Sequence, residues 1–114
     1  MHPEIEEIGE DSAVITVGET DLFTGKEIDE ALAALMLAGR KRIVVDAAGA
    51  AWLNSKVLDA LVRCAADLDP RDGAGLALIT SQDYVKQILQ VGVTGGVVFL
   101  ADTREEALEA LPRL

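Results

Sequence analysis

The chain has 114 residues, half of them hydrophobic, and a formal net charge of −10. That length fits one domain around one core, and the acidic balance argues against nucleic acid or an anionic membrane as partner. Only one Trp, one Tyr and two Phe are present; a core of Leu, Val, Ile and Ala suits helices packed on a sheet better than a β-sandwich.

In chain order, residues 4 to 8 read as a short edge strand. Ala13 to Val17 (AVITV) is β-branched and ends at Gly18, which predicts a second strand. Thr24 opens a helix, with Glu27 completing a capping box. Ile28, Ala31, Leu32, Leu35 and Met36 form its inward stripe, and Gly39 fits its C-terminal cap. Arg42 to Asp46 holds the continuous apolar run IVV, as in a parallel strand buried on both faces. After a loop, a helix starts near Asn54 or Ser55 with Leu58, Leu61, Val62, Ala65 and Leu68 inward. It stops before Asp69-Pro70, because the residue before proline is steered away from helical angles. Gly75 to Thr80 is the next buried strand. A third helix is predicted from about Ser81 or Gln82, with Val85, Ile88 and Leu89 inward and Gly92 at its end. Val97 to Leu100 is the last strand. Thr103 and Glu106 form a second capping box for a final helix carrying Ala107, Leu108 and Leu111. Alternation of helix and strand favours a mainly parallel sheet.

Catalytic chemistry finds little support. His2 is the only imidazole and Cys64 the only thiol, so neither a zinc site nor an internal disulfide is expected. A serine or cysteine nucleophile lacks a base. Gly92, Gly95 and Gly96 follow a helix, which is the wrong context for a phosphate loop. Asp46, at a strand's C-terminal end, is the best-placed carboxylate, with loop bracing or capping as its expected role. Residues 1 to 12 are acidic without an apolar run, and no segment is apolar and long enough to span a bilayer. A cytoplasmic protein, not an enzyme, with no cofactor and no metal site, is expected.

Three stretches carry more information. The strand AVITV runs into Gly18, Glu19, Thr20 and Asp21, with Leu22 and Phe23 leading into the first helix. Ile43 to Asp46 reads IVVD. Trp52 and Leu53 precede Asn54-Ser55-Lys56-Val57-Leu58 at a helix start, and Ile88 to Gly92 (ILQVG) follows later. Together these resemble the STAS domains, and among them the anti-sigma-factor antagonists, over about residues 12 to 111. The matching pattern has Gly-Glu-Leu-Asp after the early strand, and Asp-Ser-Ser/Thr-Gly-Leu at the start of the second helix. The resemblance implies one domain over residues 1 to 114. Its fold would be a mixed four- to five-stranded sheet with about four helices packed mainly on one face, the other face partly open. It implies a protein-binding regulator that docks on an anti-sigma factor or serine protein kinase, with Ser55 at the phosphorylated position. The implied partner surface is Asp21, Phe23, Trp52, Asn54, Ser55, Lys56 and Asp59. Asn54 replaces the signature aspartate and Val57 the signature glycine, and Val57 is expected to alter the partner contact. The competing readings are a STAS accessory subunit of a larger complex that is never phosphorylated, and a small-ligand or nucleotide-sensing domain.

Overall fold

The run Ile43-Val44-Val45 has no polar side, so a strand made from it must be covered above and below. The computed structural model meets this demand; it describes residues 4–18, 24–50, 53, 55–68, 73–80, 83 and 98–111. Among these are the strands β1 (Glu4–Ile8), β2 (Ser12–Thr16), β3 (Arg42–Asp46), β4 (Gly75–Ile79) and β5 (Val98–Ala101). The helices are α1 (Thr24–Leu37), α2 (Ser55–Asp67) and α3 (Arg104–Ala110). The helix predicted after Ser81, with Val85, Ile88, Leu89 and Gly92, lies outside the described residues apart from Asp83, so three helices rather than four are seen among them.

The strands form one sheet in the order β1-β2-β3-β4-β5. β1 runs antiparallel to β2, and β2, β3, β4 and β5 are mutually parallel. This is the mixed five-stranded sheet expected. Alternation along the strands sorts the core into two clusters. Ala13, Ile15, Ile43, Val45, Leu76 and Leu78 face α1 and α2, whose Ile28, Leu32, Leu35, Val57, Leu61 and Leu68 complete the larger cluster. Val14, Val44, Ala77 and Ile79 face the other way, toward Ala107 and Leu111 of the last helical segment. Among the described residues the longer helices thus share one face, and the short α3 covers part of the opposite one. β1 is exposed along its whole length; Glu4, Glu6 and Glu7 there discourage edge-to-edge pairing with another sheet.

Each helix end has a local cause. At the end of α1, Gly39 adopts φ 85°, where a side chain would be strained. The Gly39 N–H donates to Met36 O at 3.1 Å and the Arg40 N–H to Leu35 O at 2.9 Å, the paired bonds of a Schellman motif. At the start of α3, the Thr103 hydroxyl accepts from the Glu106 N–H at 3.1 Å. The Glu106 carboxylate closes back on the Asp102 N–H at 3.2 Å, one residue earlier than a capping box requires. No helix among the described residues is long and apolar enough to cross a membrane.

The inward stripe of α2 is rotated slightly from the one the sequence predicts. Val57, Ala60, Leu61, Cys64 and Ala65 are its buried residues, while Leu58 and Val62 sit half-buried on its flanks. Cys64 is 6% exposed and its Sγ lies 3.5 Å from Met36 Sδ. Burial foremost, then the charges of Asp67 and Asp29, push the thiol up from 9.0 to about 12.

Two outcomes follow from this packing. Leu61 is 0% exposed, so Leu61→Ala is expected to lower the unfolding free energy by about 2–5 kcal/mol in urea titrations. The thiol of Cys64 is protonated in both states below about pH 9, where it adds no pH dependence. Between there and about 12 the unfolded chain releases the proton and the folded chain keeps it, so stability falls as pH rises. The slope contributed is at most about 1.4 kcal/mol per pH unit. Unfolding curves of wild type and Cys64→Ala at alkaline pH should diverge by this slope, the variant being the flatter.

Candidate partner-binding site

The loop into α2 is anchored from inside the protein. Ala47, Ala50 and Leu53 are buried in the larger core cluster. The Ala47 N–H donates to Ile79 O at 2.9 Å and the Ala50 N–H to Ala47 O at 3.1 Å. This footing brings the chain out at Ser55, the first residue of α2. Ser55 and Lys56 are both exposed. The dipole of a helix start favours an anion there.

Val57 faces inward. It is 0% exposed and packed in the core, so the β-branched side chain at the signature glycine position fills space under the helix and offers nothing to a partner. Asp59 is on the outer side, its side chain 72% exposed and 3.6 Å from Arg63 one turn on. Arg63 also reaches Asp29 of α1 at 3.8 Å. Of the other expected surface residues, Asp21, Phe23, Trp52 and Asn54 lie outside the described residues, as does His2.

The starts of α1 and α2 meet at Gly25. A Cβ on Gly25 would stand 2.7 Å from Lys56 Cβ and 3.1 Å from Lys56 C, so only glycine permits this approach. An open groove of about 240 Å³ follows the seam between the two helices, lined by Gly25, Lys26, Asp29, Lys56, Asp59 and Arg63. It holds three cations against two carboxylates in a chain of net charge −10. The sequence reading missed Gly25, Lys26, Asp29 and Arg63. Gly25 was the available signal, since a glycine in the first turn of a helix is costly unless another backbone comes close.

The remaining candidates are accounted for by structure. Asp46 braces its loop, its Oδ1 accepting from the Ala48 N–H at 3.2 Å. Among the described residues no three His, Cys, Asp or Glu side chains are grouped to hold a metal ion.

No protein-family model matches the chain, and no curated protein matches its sequence. Solved structures match in fold. An anti-sigma factor antagonist from Mycobacterium paratuberculosis superposes with a TM-score of 0.76 at 21% identity, over 96% of this chain and 92% of that one. The anti-sigma factor antagonist SpoIIAA in its unphosphorylated form gives 0.73 at 16% identity, over 91% of each chain. An uncharacterized protein of the DUF3478 family with a SpoIIAA-like fold, from Shewanella loihica PV-4, gives 0.59 at 17% identity, over 96% and 91%. The chain thus has the SpoIIAA-like, STAS-type fold that its signature residues resemble.

The close seam at Gly25 has a measurable consequence. Gly25→Ala must push the two helix starts apart, because the atoms it meets are the root of a side chain and its backbone. The expected loss of stability is about 1–3 kcal/mol, read from urea unfolding, despite alanine's higher helix propensity.

Proposed function

We propose that this chain is a protein-binding regulator of the anti-sigma-factor antagonist type. It docks on an anti-sigma factor or a related serine kinase through the start of α2, and phosphorylation of Ser55 controls the docking. One observation carries the reading: Ser55 stands exposed as the first residue of α2, on a fold shared with two anti-sigma factor antagonists. One of these, SpoIIAA, is described in its unphosphorylated form. Lys56 beside Ser55, and Asp59 one turn on, belong to the proposed surface, together with Asp21, Phe23, Trp52 and Asn54.

Two energies compete when Ser55 gains a phosphate. The helix start favours the anion by about 0.3–1 kcal/mol, and Lys56 and Lys26 at the same pole offset part of its charge of about −1.5 to −2. The fold therefore tolerates the modification. A docked partner does not, because a new dianion there must be desolvated, and mispaired charge in an interface costs about 2–5 kcal/mol. The same group is thus nearly neutral for stability and costly for binding.

The test begins with capture of the tagged chain from its native cells, with mass spectrometry of co-purified proteins and of Ser55. Affinity for the recovered partner and melting temperature are then measured for wild type, Ser55→Ala, Ser55→Asp and the phosphoprotein. Ser55→Ala is expected to bind as wild type does. Phosphorylation should weaken binding tenfold or more, equivalent to about 1.4 kcal/mol, with Ser55→Asp intermediate and melting nearly constant. Unchanged affinity in both charged forms would reject the switch and favour the accessory subunit that is never phosphorylated.

A further inference from the structure

The chain leaves β2 for α1 and β3 for α2 beside one residue, Asp46, at the end of β3, which both departing segments contact. Its backbone oxygen accepts from the Val17 N–H at 2.8 Å, just before the chain leaves for α1. Its Oδ1 accepts from the Ala48 N–H at 3.2 Å, at the root of the loop that ends in Ser55. Its Oδ2 accepts from Arg104 Nε at 3.1 Å. The same guanidinium donates to Thr16 Oγ1 at 3.1 Å and to Glu6 Oε2 at 3.2 Å. One side chain from the first turn of α3 therefore reaches β1, β2 and β3 together.

The ordinary explanation would be that Arg104 fastens α3 to the sheet. Other groups already do that. Ala107 and Leu111 are buried in the smaller core cluster, and Arg42 donates from Nη2 to Leu108 O while its Nη1 donates to Ser12 Oγ at 3.3 Å. The donors of Arg104 are spent elsewhere, on the middle of β1 and on the C-terminal ends of β2 and β3. A lone exposed ion pair contributes little, but a planar fork that meets three acceptors on three strands fixes their relative positions, which a lysine's single ammonium cannot do in the same way. The hydrogen bond to Asp46, foremost, raises the pKa of Arg104 further, so the guanidinium stays charged.

We propose that Arg104 is a positioning residue that acts through Asp46 to set the ends of β2 and β3, from which the chain leaves for α1 and α2, and with them the presentation of Ser55. The importance of that presentation for docking rests on the function proposed above; the coupling from α3 to the loops does not.

The test uses the full chain labelled with nitrogen-15, and compares amide chemical shifts and relaxation in wild type, Arg104→Gln, Arg104→Lys and Asp46→Asn. Arg104→Gln should shift the amides of Val17, Ala48 and Ser55. It should also lower the order parameter of Ala48 from the rigid range near ~0.85 toward the flexible range below ~0.6. The amides of Leu76, Ala77 and Leu78, in the middle of the sheet, should stay as they are. Arg104→Lys should recover part of the change, since it keeps the charge without the fork. Asp46→Asn, which keeps an acceptor for Ala48 but loses the charged partner of Arg104, should disturb the same amides less. The proposal is overturned if Val17, Ala48 and Ser55 do not respond to Arg104→Gln, or respond only in step with β4, which would mean general loosening. No partner enters this measurement, so a loss of the Ser55 switch and a loss of the Arg104 tie would be seen separately.

Discussion

The two-sided burial of β3 is the constraint from which the rest of the architecture follows. Ile43 and Val45 point to one side and Val44 to the other, all fully buried. Each side needs a cover. Successive crossovers that advance in one direction along the sheet, each right-handed, deliver their helices to the same face. α1 and α2 therefore lie side by side there, packed into one cluster. On the opposite face α3 supplies cover, with Ala107 packed against Val14, Val44, Ala77 and Ile79.

The same geometry gathers the polar, exposed chemistry at one end of the molecule. Helices that follow parallel strands begin at the strands' C-terminal ends, so α1 and α2 start together. Gly25 lets those starts touch, and cations of both helices then line one groove within an otherwise acidic protein. The residues that pack α2 and the residues it exposes are consequently different sets. Val57, Ala60, Leu61, Cys64 and Ala65 hold α2 to the sheet, while Ser55, Lys56 and Asp59 face outward. A charge added to the outward set leaves the packed set undisturbed.

Long-range polar contacts make this pole specific. Arg104 joins parts of the chain that are 58, 88 and 98 residues distant in sequence. The shared fold with anti-sigma factor antagonists at identities of 21% and 16% is compatible with this division. The sheet and the inward helix faces tolerate many apolar sequences of similar volume.

What was legible in the residues was whatever depends on neighbours in the chain. The period of IVV and GLALI marks strands buried on both faces. The spacing of Ile28, Leu32 and Leu35 marks a helix face, and Gly39 and Thr103 mark helix ends, because period and capping are local physics. The motif around Ser55 led to the fold and placed that serine at a helix start, outside the core. Three things were settled only by tertiary structure. Val57 went inward, because the face that α2 buries is chosen by the sheet beneath it and shifts by a fraction of a turn from the stripe that hydrophobicity alone selects. The groove of Lys26, Lys56 and Arg63 exists only because two helices separated by a strand come to lie in contact. The tie from Arg104 to Asp46, Thr16 and Glu6 depends on the order of strands in the sheet, and no pattern of nearby residues encodes which distant carboxylate an arginine will meet.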